Sequence, residues 1–188
     1  MIYLMRHGET DWNARKIVQA SSDIPLNEKG REQAKMASME VIKLGIEHIF
    51  SSPLSRALET AEIVKREVGL DDVEIIIDSR LSEGFGGDLE GTPRKDLPEP
   101  FWEILEKYPE KYNIEPMQSL FDRAKSFFDE IVGKGLQNVL VVTHAGLLLA
   151  ALYYAEHDKF DHDDFYAKSP QKNAPRNTAI IKWRRRAI

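Results

Sequence analysis

The feature that most constrains the fold is the alternation of short apolar runs with longer segments of helical periodicity. The clearest run lies within residues 138–143, where Val-Leu-Val-Val is typical of a strand buried on both faces. The predicted strands cover residues 2–5, 46–50, 73–77, 138–143 and, at an edge, 178–183. The predicted helices cover about 28–43, 53–68, 101–108, 117–132 and 146–156. Residues 84–100 and 157–176 are predicted to be irregular. This alternation predicts an α/β three-layer sandwich, with helices on both faces of a mostly parallel sheet.

Length and composition narrow the classes of protein. The 188 residues show no internal repeat or linker, which predicts a single domain over residues 1–188. The absence of cysteine excludes disulfides, Cys-ligated zinc and a thiol nucleophile. The net charge of −5 gives no support to nucleic-acid binding, and the basic end at 182–186 is expected to be a solvated strand end. No apolar run has membrane-spanning length, so no membrane partner is predicted and the expected location is cytoplasmic.

Polar side chains follow several of the predicted strands at the point where each strand ends. Arg6 and His7 end the first strand, Arg56 follows the second, Glu83 follows the third and His144 ends the Val-rich strand. In a parallel sheet the carboxyl ends of the strands lie at one edge, and ligands bind beyond that edge. The sequence therefore predicts that these side chains meet in one site.

The residue types in this predicted site indicate the ligand. A lone histidine after a strand is more often structural than catalytic, but arginine is rarely buried without a partner, and an anion would supply one. A metal site would need further His or carboxylate ligands, and Arg6 would repel a cation beside His7. Guanidinium groups match phosphate and carboxylate oxygens in a bidentate way. An anion site without a metal is therefore the prediction.

Four blocks of sequence, in order, resemble the signature of the histidine phosphatase superfamily, which includes the cofactor-dependent phosphoglycerate mutases. The blocks are Leu-Met-Arg-His-Gly-Glu-Thr at 4–10, Ser-Ser-Pro-Leu-Ser-Arg-Ala at 51–57, Leu-Ser-Glu at 81–83 with Gly-Asp-Leu-Glu-Gly at 87–91, and Val-Thr-His-Ala-Gly at 142–146. The resemblance covers nearly the whole chain. It implies a reaction in which a histidine accepts a phosphoryl group.

The resemblance assigns the chemical roles in this reaction. His7 would be the nucleophile that forms a phosphohistidine, with its second ring nitrogen oriented by the backbone carbonyl of Gly8. Glu83 would be the general acid that protonates the leaving oxygen and then the base that activates water, although taken alone it would be interpreted as a loop carboxylate. Glu9 and Glu90 are weaker rivals for that role and are expected to hold loops in place.

The resemblance also assigns the groups that bind phosphate. Arg6, Arg56 and His144 would surround the phosphoryl oxygens and stabilise their charge during transfer. Asn13 would add a neutral donor. The backbone at Ala145 would add another, because the start of a helix favours anions.

The chain departs from the family pattern around the predicted pocket. Ala20 follows Gln19 where many members have Gln-Gly, and these two residues are candidates for the substrate pocket. Gly86 and Leu89 replace larger aromatic residues, and Pro-Met-Gln-Ser at 116–119 replaces a Gly-Glu-Ser turn. These changes are expected to reshape the pocket wall and to leave the reaction centre intact.

A short insertion at about 91–116 is predicted to cap the site and to help select the substrate. It contains the aromatic residues Phe101, Trp102, Tyr108 and Tyr112, of which Trp102 is a candidate pocket residue. The alternative is an ordinary amphipathic helix packed on the sheet.

Three functions remain in competition at the level of sequence. The leading one is a phosphatase that hydrolyses a small phosphomonoester through a phosphohistidine and needs no cofactor. The first alternative is a phosphoglycerate mutase primed by 2,3-bisphosphoglycerate, but mutases of the family have a larger insertion than this compact cap. The second alternative is a non-catalytic module that binds a phosphorylated ligand. The expected partner is a small molecule, and a homodimer is compatible with the sequence.

Overall fold

In the computed structural model, which describes residues 1–168 and 174–185, five strands form one sheet and seven α-helices surround it. The strands are β1 (Ile2–Arg6), β2 (His48–Ser51), β3 (Ile75–Ile77), β4 (Val139–Thr143) and β5 (Ile180–Trp183). The helices are α1 (Asp11–Ala14), α2 (Glu28–Val41), α3 (Ser55–Val68), α4 (Phe101–Lys107), α5 (Met117–Gly133), α6 (Ala145–Glu156) and α7 (His162–Lys168). Across these described ranges, no helix combines the length and the hydropathy needed to cross a membrane.

The sheet has the order β3-β2-β4-β1-β5. The pairs β3–β2, β2–β4 and β4–β1 are parallel, and β5 runs antiparallel to β1 at the edge. Arg6 of β1 is in register with Thr143 of β4, and Ser51 of β2 is in register with Val142. The parallel strands therefore end at the same level, as the mostly parallel α/β prediction requires.

Side chains of β4 alternate between two cores, one on each face of the sheet. Val139 and Val141 pack in the core formed with α5 and α6, whereas Leu140 and Val142 pack in the core formed with α2 and α3. This alternation is the period of two that a strand imposes on its side chains. The three-layer arrangement predicted from the sequence is confirmed.

The inserted segment builds a small core of its own. Val18 and Leu89 pack there with Ile104 of α4 and Ile114, all of them buried, and no strand residue belongs to this cluster among the residues described. The helix α4 therefore packs on the loops that border the strand ends and not on the sheet, an arrangement consistent with the predicted cap.

Several boundaries and contacts differ from the sequence prediction. Part of the segment predicted to be irregular forms α7, because the side chain of Asp161 accepts a hydrogen bond from the N–H of Asp164 at 2.8 Å and Phe165 is buried against Tyr153. The helix α3 begins at Ser55, two residues later than predicted. Arg185, predicted to be solvated, pairs with Asp158. Residues 169–173 and 186, which belong to the same predictions, lie outside the described residues.

The start of α2 packs closely against the loop that follows β1. A Cβ atom on Gly8 would lie 2.5 Å from the carbonyl oxygen of Gly30, and a Cβ atom on Gly30 would overlap the carbonyl oxygen of Glu9. Asn27 caps α2 by accepting a hydrogen bond from the N–H of Gly30 at 2.8 Å, as predicted, and donates its own N–H to the carbonyl of Glu9 at 3.0 Å. The two glycines therefore fix the backbone directly after His7.

We expect Gly30→Ala to lower the free energy of unfolding by about 1–3 kcal/mol, because the added methyl group overlaps backbone atoms that cannot move aside without displacing the loop. Gly133→Ala is the matched control, since a Cβ there meets nothing within 4 Å and alanine favours a helix by up to about 1 kcal/mol. Urea unfolding of both variants measures the difference. Equal stability of the two variants would show that the two glycines are not closely packed.

Candidate active site

His7 lies directly after β1 and is almost fully buried. Its side-chain Nδ1 donates a hydrogen bond to the carbonyl oxygen of Gly8 at 2.7 Å, because a carbonyl can only accept. The backbone N–H of His7 donates to the carbonyl of Thr143 on β4 at 3.0 Å, and the N–H of Gly8 donates to Oγ1 of Thr60 at 3.0 Å. In a neutral ring with the proton on Nδ1, Nε2 carries a lone pair.

The surroundings of His7 favour this neutral ring. Burial holds the pKa of His7 well below its usual value, and the positive charges of Arg56 and Arg6 lower it further. The hydrogen bond to Gly8 acts in the opposite direction and is the smaller effect. His7 therefore has the protonation state and the tautomer that a nitrogen nucleophile needs.

His144 lies beside His7, with the two ring centroids 5.1 Å apart, and it is fully buried. Its Nδ1 accepts a hydrogen bond from Nε of Arg56 at 3.2 Å. The proton of the neutral ring is therefore on Nε2, which donates to Oγ of Ser52 at 2.7 Å. Burial, and then the charge of Arg56, hold the pKa of His144 well below its usual value.

These contacts place His144 behind Arg56 and not on the cavity wall formed by the described residues. Both of its ring nitrogens are used within the protein, so in this structure it orients the guanidinium of Arg56. The direct contact of His144 with phosphoryl oxygens stays a prediction. Ser52 completes this arrangement, and no local sequence pattern indicates its contact with His144.

Arg56, on α3, is buried and lines the cavity. Its two terminal nitrogens donate to backbone carbonyls of the neighbouring loop, to Ser22 at 2.7 Å and to Ala20 at 2.6 Å. Burial lowers the pKa of Arg56 to about 10, while the charges of Glu83 and Asp23 oppose this shift. Arg56 therefore remains a cation at neutral pH and is held rigidly.

Arg6 lines the cavity and carries one buried donor that has no partner within the described part of the chain. One terminal nitrogen donates to the carbonyl of Pro175 at 2.7 Å, but its Nε is buried and has no hydrogen-bond partner within the described part of the chain. Burial lowers the pKa of Arg6, the charge of Glu83 raises it, and the charge of Arg94 lowers it again. A buried donor of this kind is costly unless a ligand satisfies it, and an anion would do so.

Asn13 also faces the cavity, and its amide is oriented by two donors. Its side-chain oxygen accepts from the N–H of Thr10 and from Nδ2 of Asn177, both at 3.3 Å. The NH₂ group of Asn13 is thus left for the cavity, which this residue lines. Asn177 also donates to the carbonyl of His7 at 2.9 Å. No local sequence pattern indicates Asn177, because only the antiparallel return of β5 brings it to this site.

Glu83 is anchored at the start of α6. Its carboxylate accepts hydrogen bonds from the N–H of Gly84 at 3.0 Å and from the N–H of Gly146 at 3.1 Å. A Cβ atom on Gly146 would lie 2.5 Å from a carboxylate oxygen of Glu83, so only glycine permits this approach. Glu83 and Ala145 both line the cavity, and their roles in acid catalysis and phosphate binding stay predictions.

The cavity that joins these groups has a volume of about 410 Å³. Gln19, Ala20 and Trp102, the predicted pocket residues, all line it. Much of the remaining wall is apolar and includes Ile17, Val18, Phe85, Phe101, Leu105 and Met117. Within the ranges described, no group of three His, Asp or Glu side chains is arranged to hold a metal ion.

Two departures from the family pattern compensate each other. Ala20 has a positive φ of 43°, a conformation that favours glycine, while its carbonyl accepts from Arg56. A Cβ atom on Gly86 would lie 2.5 Å from the Cβ of Ala20. Alanine at position 20 therefore requires glycine at position 86. Glu90 ties the two loops together, as predicted, by accepting from the hydroxyl of Ser21 at 2.6 Å and from the N–H of Gly86 at 2.9 Å.

The lowered pKa values of His7 and His144 predict how stability depends on pH. Below about pH 6.5 the unfolded chain binds protons on these histidines that the folded chain does not bind, so stability falls as the pH falls. Each ring contributes a loss of up to about 1.4 kcal/mol per pH unit. We expect His7→Asn to reduce the slope of unfolding free energy against pH by about one proton between pH 6 and pH 5.

Urea unfolding at several pH values measures this slope. His162→Gln provides the reference for removing a histidine that is exposed to solvent. An unchanged slope in His7→Asn would mean that His7 is protonated in the folded chain.

The chain is similar to known proteins both in sequence family and in structure. The family described as "Histidine phosphatase superfamily (branch 1)" matches residues 2–179. A mycobacterial glucosyl-3-phosphoglycerate phosphatase, solved with VO3, has a TM-score of 0.79 at 26% identity, and the match covers 95% of this chain and 90% of that chain. YhfR of Bacillus stearothermophilus has a TM-score of 0.74 at 31% identity, and the match covers 88% of this chain and 83% of that chain.

A curated relative resembles part of the sequence more strongly. The chain is 49% identical over 89 residues to a protein of Escherichia coli named "Probable phosphoglycerate mutase GpmB". That match covers 47% of this chain and 40% of the relative, so it spans less than half of either protein. The family match covers almost all of the described fold and includes His7, Arg56, Glu83 and His144. The chain belongs to the histidine phosphatase superfamily, branch 1.

Proposed function

We propose that the protein hydrolyses phosphomonoesters through a phosphohistidine formed on His7. The observation that carries the proposal is the buried, neutral ring of His7, with Nδ1 bound to the Gly8 carbonyl at 2.7 Å. A nucleophile needs a lone pair at the reacting atom, and this hydrogen bond leaves the lone pair on Nε2. Arg6 and Glu83 line the same cavity as His7, so the groups needed for the reaction are together.

The proposed reaction has two steps. The first step requires Glu83 to hold a proton when the ester is bound: Nε2 of His7 forms a bond to phosphorus, the ester P–O bond breaks, and Glu83 gives that proton to the leaving oxygen. In the second, Glu83 takes a proton from water as the water oxygen attacks phosphorus, the P–N bond breaks, and His7 is regenerated with inorganic phosphate. Each proton that Glu83 donates is therefore recovered within one cycle.

The charge of the transferred group would be met by fixed donors. The free Nε of Arg6, the remaining N–H groups of Arg56 and the amide of Asn13 are the candidates. Because all three side chains are already held by backbone or amide contacts, they would need little rearrangement when phosphate charge develops. His144 would act through the orientation of Arg56.

Hydrolysis is supported over mutase activity by two observations. The cavity of about 410 Å³ has a largely apolar wall, whereas phosphoglycerate is small and polar. The similarity to the mycobacterial phosphatase extends over 95% of the chain. The mutase alternative is kept because the 49% identity to the probable mutase is the higher value, although it covers 40% of that relative.

Rapid-quench labelling with a phosphate ester tests the proposal. We expect the wild-type protein to form an acid-labile phosphoenzyme and His7→Asn to form none. In Glu83→Gln, nitrophenyl phosphate should still label His7, because its leaving group needs little protonation, but the label should accumulate because water is no longer activated. Turnover of the wild type without a labelled intermediate would contradict the proposal.

The same preparation separates hydrolysis from mutase activity. Interconversion of phosphoglycerates is assayed with and without 2,3-bisphosphoglycerate, and we expect it to be slow compared with release of phosphate. Fast primed interconversion would establish the mutase instead. If ligands bind but neither reaction nor labelling occurs, the protein is a phospho-ligand binding module.

The proposed reaction uses neither a metal ion nor an organic cofactor. We therefore expect EDTA to leave the hydrolysis of nitrophenyl phosphate unchanged, because the donors for the phosphoryl charge are arginine and amide groups. Loss of turnover with EDTA, and its recovery on adding a divalent cation, would contradict this assignment.

A further inference from the structure

Arg94 is a positive side chain of the cavity that the proposed reaction does not use. It belongs to the cap, lines the same cavity as His7, and is exposed to solvent. Its guanidinium carbon lies 5.1 Å from the centroid of the Phe101 ring, a cation–π contact that restricts its direction. No carboxylate or carbonyl oxygen of the described residues forms an ion pair or hydrogen bond with this guanidinium.

The backbone that carries Arg94 is hydrogen-bonded to a neighbouring segment that lines the cavity. The N–H of Arg94 donates to the carbonyl of Lys16 at 2.9 Å, and Pro93 forms an antiparallel bridge with Ile17. The N–H of Val18 donates to the carbonyl of Thr92 at 2.9 Å. Arg94 is therefore held at a defined place beside the segment that leads from Asn13 to Gln19.

No carboxylate of the cavity lining pairs with the positive charge of Arg94 among the residues described. Besides Glu83, the other carboxylate of the lining is Glu115, which is paired with Arg123 at 3.0 Å and accepts from Ser119 at 2.6 Å. The charge of Arg94 lowers the pKa of Arg6, so the two guanidinium groups interact electrostatically across the site. A second cation within range of a phosphate site, and with no carboxylate of its own, indicates an anionic ligand.

The apolar wall indicates what separates the two anionic groups. Phe101, Trp102, Leu105 and Met117 line the cavity together with Arg94. A bare phosphate would leave this wall in contact with water, whereas a substrate with an apolar or aromatic skeleton would cover it.

We infer that Arg94 binds a second anionic group of the substrate. The substrate class is then a phosphomonoester whose carbon skeleton packs against the apolar cap and carries a carboxylate or a second phosphate away from the scissile bond. Arg94 is a specificity-determining residue in this scheme, and the scheme rests on the proposed phosphatase function.

Paired aryl phosphates test the inference. Phenyl phosphate has one anionic group, and 4-carboxyphenyl phosphate has a second one on an otherwise similar body. We expect the wild type to prefer the carboxylated ester, and Arg94→Gln to lower its kcat/KM by about 10- to 100-fold, the range for losing a charge-assisted hydrogen bond. The kcat/KM for phenyl phosphate should change by less than about threefold, within the range of a weak surface ion pair.

The controls separate the other roles that Arg94 could have. Lys95→Gln removes a neighbouring exposed cation that does not line the cavity, and it should change neither ester. Arg94→Lys should restore part of the preference, and Arg94→Glu should reverse it towards 4-(aminomethyl)phenyl phosphate. If Arg94→Gln lowers kcat/KM equally for both esters, Arg94 binds the scissile phosphate. If it lowers kcat/KM for neither ester, Arg94 contacts only Phe101. Either outcome overturns the inference.

A binding measurement keeps the inference separate from catalysis. Calorimetric titration with phenylphosphonate and with 4-carboxyphenylphosphonate needs no turnover, and a 1,4-phenylene diphosphonate distinguishes a second phosphate from a carboxylate. We expect tighter binding of one doubly anionic compound in the wild type and loss of that advantage in Arg94→Gln. Tighter binding of the doubly anionic compound without any phosphoenzyme would support anion binding by Arg94 and overturn the phosphatase proposal. Hydrolysis without tighter binding of that compound would support the phosphatase proposal and overturn anion binding by Arg94.

Discussion

The hydrogen bond from Nδ1 of His7 to the carbonyl of Gly8 is the interaction on which the rest of the site depends. It selects the tautomer, and burial beside Arg56 and Arg6 keeps the ring neutral. The carbonyl can do this only if its position is fixed, and the fold fixes it from two directions. Oγ1 of Thr60 binds the N–H of Gly8, and Gly30 packs against that residue from α2. The reactivity of the ring is thus linked to the packing of two helices on one face of the sheet.

The polar groups of the site are costly to bury, and the structure offsets that cost with backbone atoms. The guanidinium of Arg56 is held by two loop carbonyls and by His144, and the carboxylate of Glu83 by two backbone N–H groups. Backbone partners leave the charges themselves available to a ligand, whereas a carboxylate paired with each arginine would compete with phosphate. The Nε of Arg6 is the exception, because it is buried and has no hydrogen-bond partner among the residues described.

The sequence predicted the elements that depend on local patterns, and it failed where contacts between distant segments decide. Strand β4 was predictable because four consecutive apolar residues must be buried on both faces, and the meeting of Arg6, Arg56 and Glu83 followed from parallel strands. Helix α7 was missed because it depends on the burial of Phe165 against α6. The orientation of Asn13 by Asn177, 164 positions away, has no local signal. Arg94 belongs to a segment with loop composition, and only the three-dimensional structure shows that it lines the same cavity as His7.

The strand ends and the cap supply different groups to the site. The strand ends hold the groups that are proposed to transfer the phosphoryl group, and the cap supplies an apolar wall and the cation Arg94. The site requires His7 to be neutral with its proton on Nδ1, and ¹⁵N NMR of the histidine side chains measures this state directly. We expect a protonated Nδ1 and an unprotonated Nε2 for His7 between pH 6 and pH 8, with no titration near the usual histidine value. A His7 ring that carries its proton on Nε2, or that titrates near pH 6.5 as an exposed histidine does, would rule out His7 as the neutral nucleophile of this site.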